Sequence, residues 1–285
     1  TATGKGNLLR VAIDSSATAD NQADLTSALS VDGTVTGMAQ SQDGSHIVLA
    51  MSKTLSDGSV SYWASIRSVS DLSQEQTVLL DQSYTYMALS DDGKRLYGYG
   101  SSSEVNATTG LTETVRRIKL FLPDAPKVDA AGLPVANASQ TVEANNYRMA
   151  YYDGTLYSAD YNGNINLFGA NLDTKVSISY PEDATLASYV TGYGSYNGTD
   201  TSNNRGRSYS IAIRERDNKR YAYLWHNQRG LDVLDVTEPA KTHTVQWLPM
   251  STTYRGAVSS DGMRAFIAGY SAKSSNSLMS INLDN

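Results

Sequence analysis

Apolar residues along the chain come in short runs, mostly alternating with polar ones, and clusters of Gly, Asn, Asp and Ser separate the runs. That alternation is the period of a half-buried strand, and the three-and-four spacing of an amphipathic helix is missing throughout. One frame recurs. Met38-Ala39-Gln40-Ser41-Gln42-Asp43-Gly44 precedes His46 to Ala50, and Met87-Ala88-Leu89-Ser90-Asp91-Asp92-Gly93 precedes Arg95 to Tyr99. It returns as Met149-Ala150-Tyr151-Tyr152-Asp153-Gly154 before Leu156 to Ser158, and as Ile211 to Asp217-Asn218 before Tyr221 to Leu224. A last copy, Gly256-Ala257-Val258-Ser259-Ser260-Asp261-Gly262, precedes Ala265 to Ala268. Each copy predicts a strand, a tight turn whose Gly or Asn tolerates positive φ, and a second strand.

Further strand-like segments follow the hairpins. Ser61 to Asp71 leads to Gln76 to Leu80, Val115 to Leu122 to Gln140 to Val142, and Asn164 to Asp173 to Val176 to Tyr180. Gly230 to Val236 leads to Thr244 to Leu248, and Ser277 to Leu283 ends the series. Four strands per unit, repeated, predict an all-β fold: a β-propeller of four-stranded antiparallel blades, in one domain over residues 1–285. Corresponding positions recur about every 54 residues, which fits five blades, whereas seven would need about 41 each. The last unit lacks an outer strand, and Asn7 to Ile13 is expected to supply it by pairing with Ser277 to Leu283. If Asn7 to Ile13 is instead a third strand beside Asp24 to Leu29, the ring has six blades.

The hairpin frame of apolar residue, Ser, x-Asp-Gly and strand resembles the blades of bacterial extracytoplasmic propellers of the YVTN and lactonase kind. Gly230-Leu231-Asp232-Val233-Leu234-Asp235-Val236-Thr237-Glu238-Pro239 is similar to the LVIVD repeat of secreted bacterial propellers. The resemblance implies the propeller fold and an extracytoplasmic setting: secreted, periplasmic or at the cell surface. It implies no activity, because these motifs mark blades.

Charge and composition narrow the function classes. Lys and Arg number 23 against 29 Asp and Glu, a net charge of −6, so no strongly basic surface awaits nucleic acid or an anionic membrane. No run approaches the ~20 apolar residues of a membrane helix, so membrane insertion is not expected. With no cysteine, disulfides, thiolate metal sites and cysteine nucleophiles are excluded. His46, His226 and His243 fall on different blades, so no metal site is expected from them. Asp160-Tyr161-Asn162-Gly163-Asn164 has the alternating oxygens of a structural calcium loop, but a hairpin turn explains the same letters better. No other cofactor is implied. Among the aromatics 19 are Tyr, with three Phe and three Trp, a composition in keeping with an extracytoplasmic protein.

In a propeller the loops between blades, and those joining second to third strands, share one face around the channel mouth. The Asp-Gly turns at Asp43, Asp92, Asp153 and Asp261 belong to the other. The mouth is therefore expected to carry Tyr84, Tyr86, Tyr147, Arg148, Tyr254 and Arg255 at the starts of inner strands, with His226 and Arg229 in the loop Trp225 to Arg229. The long segment from Pro181 to Arg207 would add Tyr193, Tyr196, Arg205 and Arg207, and segments of that length are usually functional or disordered. Tyr and Arg around a concave mouth suit a glycan, through ring stacking and hydroxyl bonds, or a protein carboxylate. For any one Tyr, packing between blades is the competing explanation. A non-catalytic binding module is expected, since no Gly-x-Ser-x-Gly elbow, Walker loop or His-Glu-x-x-His occurs. A propeller hydrolase or lyase of lactonase or glycosidase type is the alternative, because such enzymes scatter their catalytic groups over several blades. A structural domain excised from a surface adhesin is a third.

Overall fold

A computed structural model describes residues 5–12, 24–142, 146–160, 165–178, 208–226, 230–249, 252–271 and 274–283. It opens on a hairpin of β1 (Lys5–Ala12) and β2 (Asp24–Asp32), which form a two-stranded sheet. Blade 1 follows with β3 (Thr34–Gln40), β4 (His46–Thr54), β5 (Val60–Ser68) and β6 (Glu75–Leu80). Blade 2 has β7 (Tyr86–Leu89), β8 (Leu96–Val105) and β9 (Thr112–Phe121). A small ribbon of β10 (Lys127–Val128) and β11 (Pro134–Val135) then interrupts it before its outer strand, β12 (Ala138–Thr141). Blade 3 comprises β13 (Asn146–Tyr152), β14 (Thr155–Asp160), β15 (Ile165–Gly169) and β16 (Lys175–Ile178). Blade 4 comprises β17 (Ser208–Arg216), β18 (Lys219–His226), β19 (Gly230–Asp235) and β20 (His243–Pro249). Blade 5 has β21 (Thr252–Val258), β22 (Arg264–Ser271) and β23 (Ser274–Asn282). The expected five-bladed propeller is what forms, with four four-stranded sheets and one of three strands among the described residues.

Sequence periodicity explains the packing. Where blade meets blade from the first to the fifth, alternate residues of the inner strands face the blade before and the blade after, and they are buried there. One apolar cluster joins Val48, Ala50 and Ile66 of blade 1 to Met87, Leu89 and Phe121 of blade 2. Equivalent clusters join blades 2 and 3 through Tyr97, Leu120, Met149 and Phe168, and blades 3 and 4 through Tyr157, Ile165, Ile211 and Leu224. A fourth joins blades 4 and 5 through Tyr223, Leu231, Val258 and Ile267. The second-strand tyrosines Tyr97, Tyr157 and Tyr223 occupy one repeat position, opposite Ala88, Ala150 and Ala212. Each reaches the next blade with its hydroxyl: Tyr97 donates to Ala170 O at 2.7 Å, Tyr157 accepts from Arg220 at 3.0 Å and Tyr223 donates to Gly262 O at 3.2 Å.

The hairpin turns lie together at one end of the ring, and their glycines Gly44, Gly93, Gly154 and Gly262 have φ of 76°, 71°, 74° and 73° as expected. Two designs underlie the one frame. In blades 1, 2 and 5 the Ser hydroxyl donates to the Asp two residues on, at 2.6 Å for Ser41, 2.5 Å for Ser90 and 2.5 Å for Ser259. The same hydroxyls accept the N–H of His46, Arg95 and Arg264. Blades 3 and 4 use two-residue turns with both central residues at positive φ, Asp153 and Gly154 at 44° and 74°, Asp217 and Asn218 at 53° and 58°. That geometry matches the twist of the flanking strands.

The expected closure is corrected. β1 pairs with β2 over eight positions, from Lys5 with Asp32 to Ala12 with Asp24, and β23 pairs with β22. Loop-closure entropy favours the sequence neighbour as partner, by about 0.6 kcal/mol for each doubling of the loop it avoids. The six-bladed alternative fails too, since β1 and β2 pair as it required but remain a two-stranded sheet.

Candidate functional site

The mouth end of the inner strands carries a repeated irregularity. In β3, β13, β17 and β21 the register slips by one residue against the second strand, and the extra residue is Thr36, Tyr147, Tyr209 or Tyr254. Such bulges re-aim a side chain and end pairing, and they concentrate beside functional sites. Three successive blades thus place a Tyr at the same bulged position of the rim.

The residue after the bulge comes next along the rim: Arg148 in blade 3 and Arg255 in blade 5, opposite Ala159 and Ala268, with Tyr86, the first residue of β7, at the equivalent place in blade 2 opposite Tyr99. The half-buried Arg148 places its guanidinium carbon 4.9 Å from the centre of the Tyr86 ring. Its Nε donates to the carbonyl of Tyr209 at 3.3 Å, so one side chain of blade 3 bridges blades 2 and 4. Tyr86 lies against Tyr99 with ring centres 6.3 Å apart, and Ser210 continues the seam by donating to Gly256 O of blade 5 at 3.2 Å. A planar cation fixed on an aromatic face is pre-organised, so little side-chain entropy remains to be lost on binding.

Of the predicted residues the structure brings Tyr86 and Arg148 together and adds Tyr209, which sequence reasoning missed. The signal was present: Tyr209-Ser210-Ile211-Ala212 aligns with Tyr147-Arg148-Met149-Ala150 and Tyr254-Arg255-Gly256-Ala257. Tyr147, Tyr254 and Arg255 are placed by their backbone alone. Tyr193, Tyr196, Arg205, Arg207 and Arg229 lie outside the described residues, as does the calcium-like loop after Asp160.

Two predicted residues are corrected. Tyr84 is 1% exposed, packed edge-on against Phe121 and donating to Asp81 at 2.7 Å. Its ring fills space that a side chain at Gly98 would take, since a Cβ there would stand 2.6 Å from Tyr84 Cδ1. Burial, with the Asp81 carboxylate beside it, raises the pKa of the Tyr84 hydroxyl. This Tyr is a wedge between blades 1 and 2. His226 is 0% exposed, its Nε2 3.1 Å from Asp232 Oδ2. Asp160 and Asn166, in contact at 3.3 Å, occupy the corresponding positions in blade 3. A buried polar contact between second and third strands is therefore a feature of both blades, and His226 faces their interior.

At the opposite end, Arg214 of β17 donates to the carbonyls of Val258 and Ser259, each at 3.0 Å, and to Gln42 Oε1 of blade 1. Blades 4 and 1 are not neighbours, so this side chain crosses the axis. Desolvation lowers the Arg214 pKa, while Tyr223 and Asp91 nearby favour its charge. A ligand entering from the turn face would have to displace it.

Comparison with solved structures supports the fold. Kuenenia stuttgartiensis hydrazine synthase aligns with a TM-score of 0.51 at 14% identity, over 88% of this chain and 72% of that one. The Myceliophteria thermophila Cps50 (Swd1) β-propeller domain gives 0.44 at 11%, over 83% and 62%, and a chain of the mitotic checkpoint complex 0.46 at 10%, over 91% and 79%. At 14% identity the first likeness is one of fold alone. No family model and no curated protein sequence matches the chain.

Proposed function

We propose that this chain is a non-catalytic binding module that takes a protein partner at the mouth of the propeller, in an extracytoplasmic setting. The observation that carries the reading is the bridge of Arg148 from Tyr86 to the Tyr209 carbonyl, which joins three blades into one half-exposed aromatic and cationic surface. In a chain of net charge −6, a guanidinium at a concave mouth selects for ligands that bring a carboxylate. The repeated bulge brings the backbone of Tyr147, Tyr209 and Tyr254 to one level of the rim, and Tyr is a residue type enriched at binding surfaces.

The test is a screen of the purified chain against arrays of acidic peptides and of glycans, followed by titration of each hit. Arg148→Ala is expected to weaken an acidic-peptide hit at least tenfold while the circular dichroism spectrum stays native. Binding confined to neutral glycans would replace the protein partner with a sugar. Turnover of a lactone or glycoside would replace the binding module with an enzyme.

A further inference from the structure

Every blade carries two positions that face its neighbours. On the inner strand, Met87, Met149 and Ile211 face the preceding blade and are buried. On the second strand, Val48, Tyr97, Tyr157 and Tyr223 face the following blade and are also buried. The same positions at the junction of blade 5 with blade 1 are Phe266 and Met38, opposite Ala257 and Leu49. Phe266 is 37% exposed and Met38 59%. Val35, on the same side of β3, is exposed as well. The inner strands of successive blades touch from β3 through β21, but among the described residues β21 makes no comparable contact with β3. Among the described residues, Met38 and Phe266 at this junction therefore lack the cover that their counterparts have at the other four.

Uncovered positions of that kind fit a β-sheet. Among the described residues the β1–β2 hairpin is the one sheet of useful length outside the five blades. Its chemistry suits the wedge, because Val31 of β2 already packs against Leu49 and Met51, on the same face of blade 1 as Met38. The chain's own hairpin cannot go deeper. β2 runs into β3 through the single residue Gly33, and reversing a strand alongside its successor takes a turn of at least about two residues. With that hairpin in place Met38 remains exposed. Gly33 has φ of 139°, and a short, conformationally special hinge between two strands favours exchange between copies.

We propose that two copies of this chain associate by exchanging their β1–β2 hairpins, each filling the wedge between blades 5 and 1 of the other. The exchanged hairpin has no tether to the β3 it lies beside, so it can run down the wall to Met38 and Phe266. The dimer leaves the mouth surface of Arg148 untouched and stands or falls independently of the function proposed for it.

The experiment uses the full chain. Light scattering after gel filtration is expected to show a dimer whose fraction rises with concentration, and Met38→Glu and Phe266→Glu should each abolish it while circular dichroism stays native. Because the protein has no cysteine, two single-cysteine proteins, Val31→Cys and Phe266→Cys, can also be mixed and oxidised. A disulfide-linked heterodimer is expected, and it reads out exchange even if a glutamate variant fails to fold. A monomer at every concentration, or no cross-linking above that of a Val31→Cys and Val105→Cys control mixture, would overturn the proposal. So would a dimer that survives both glutamate variants.

Discussion

Arg214 of the fourth blade donates a hydrogen bond to the side-chain carbonyl of Gln42 in the first, 172 positions away along the chain and across the axis of the ring. The same guanidinium holds two carbonyls of blade 5. Three blades are thus tied at one axial point, in a ring whose terminal strands do not pair with each other. Arg214→Leu removes charge-assisted bonds and leaves the Val258 and Ser259 carbonyls without their donor, and is expected to cost about 2–4 kcal/mol in urea unfolding. Gln42→Ala removes one of these bonds and should cost about 1 kcal/mol. Equal stability of Arg214→Leu and wild type would show that the ring closes without this tie.

Neighbouring carboxylates on the turn face are tuned in opposite directions. For Asp92 burial opposes the charge, but bonds from the Ser90 hydroxyl and the Lys94 N–H outweigh it and hold the carboxyl below its usual range. A lowered folded pKa gives stability that is present above the unfolded value and lost as pH falls through the folded one. For Asp91 burial, then the charge of Asp43, raise the pKa, so ionisation costs stability at neutral pH and protonation relieves it. Asp92→Asn should lower Tm at pH 7. Asp91→Asn, whose Oδ1 can still accept the Asp43 N–H, should raise it. Each difference should shrink as the pH falls through the folded pKa of its own carboxyl, for Asp91 first and for Asp92 later. Thermal melts across that range check the signs.

Tyr84 separates a packing role from a binding one. Tyr84→Phe keeps the ring between the blades and loses the bond to Asp81, a cost of about 1 kcal/mol. Tyr84→Ala opens a cavity against Phe121 and should cost about 3–5 kcal/mol. Ligand affinity of the Phe variant should equal that of wild type, and a loss there would return Tyr84 to the mouth.

Much of the fold was legible because the repeat is written in residue types that geometry demands. The Asp-Gly and Asp-Asn pairs mark turns needing positive φ, and the short apolar and alternating runs between them mark strands. Closure was not legible: Asn7 to Ile13 has the pattern of a strand, but pattern does not choose between a local partner and a distant one. The structure pairs β1 with β2. Burial of Tyr84 and His226 was hidden for a related reason, since one position along a strand faces either the rim or the adjacent sheet depending on small shifts in where pairing begins. Tyr84 lies just ahead of β7, beyond the Tyr86 and Tyr99 pair where its register starts, and it turns inward. Nothing in the local sequence pairs Arg214 with Gln42, and only ring geometry brings Gln42 within its reach.

The most direct test of the mouth as the working surface is a calorimetric titration of the best array ligand into wild type, Arg148→Gln and Asp261→Asn. Arg148→Gln removes the cation over Tyr86 at the mouth, and Asp261→Asn alters a turn at the far end of the same ring. The account predicts at least a tenfold weaker Kd for Arg148→Gln and an unchanged one for Asp261→Asn. Unchanged affinity in Arg148→Gln with loss in Asp261→Asn would put the binding surface on the turn face and contradict it.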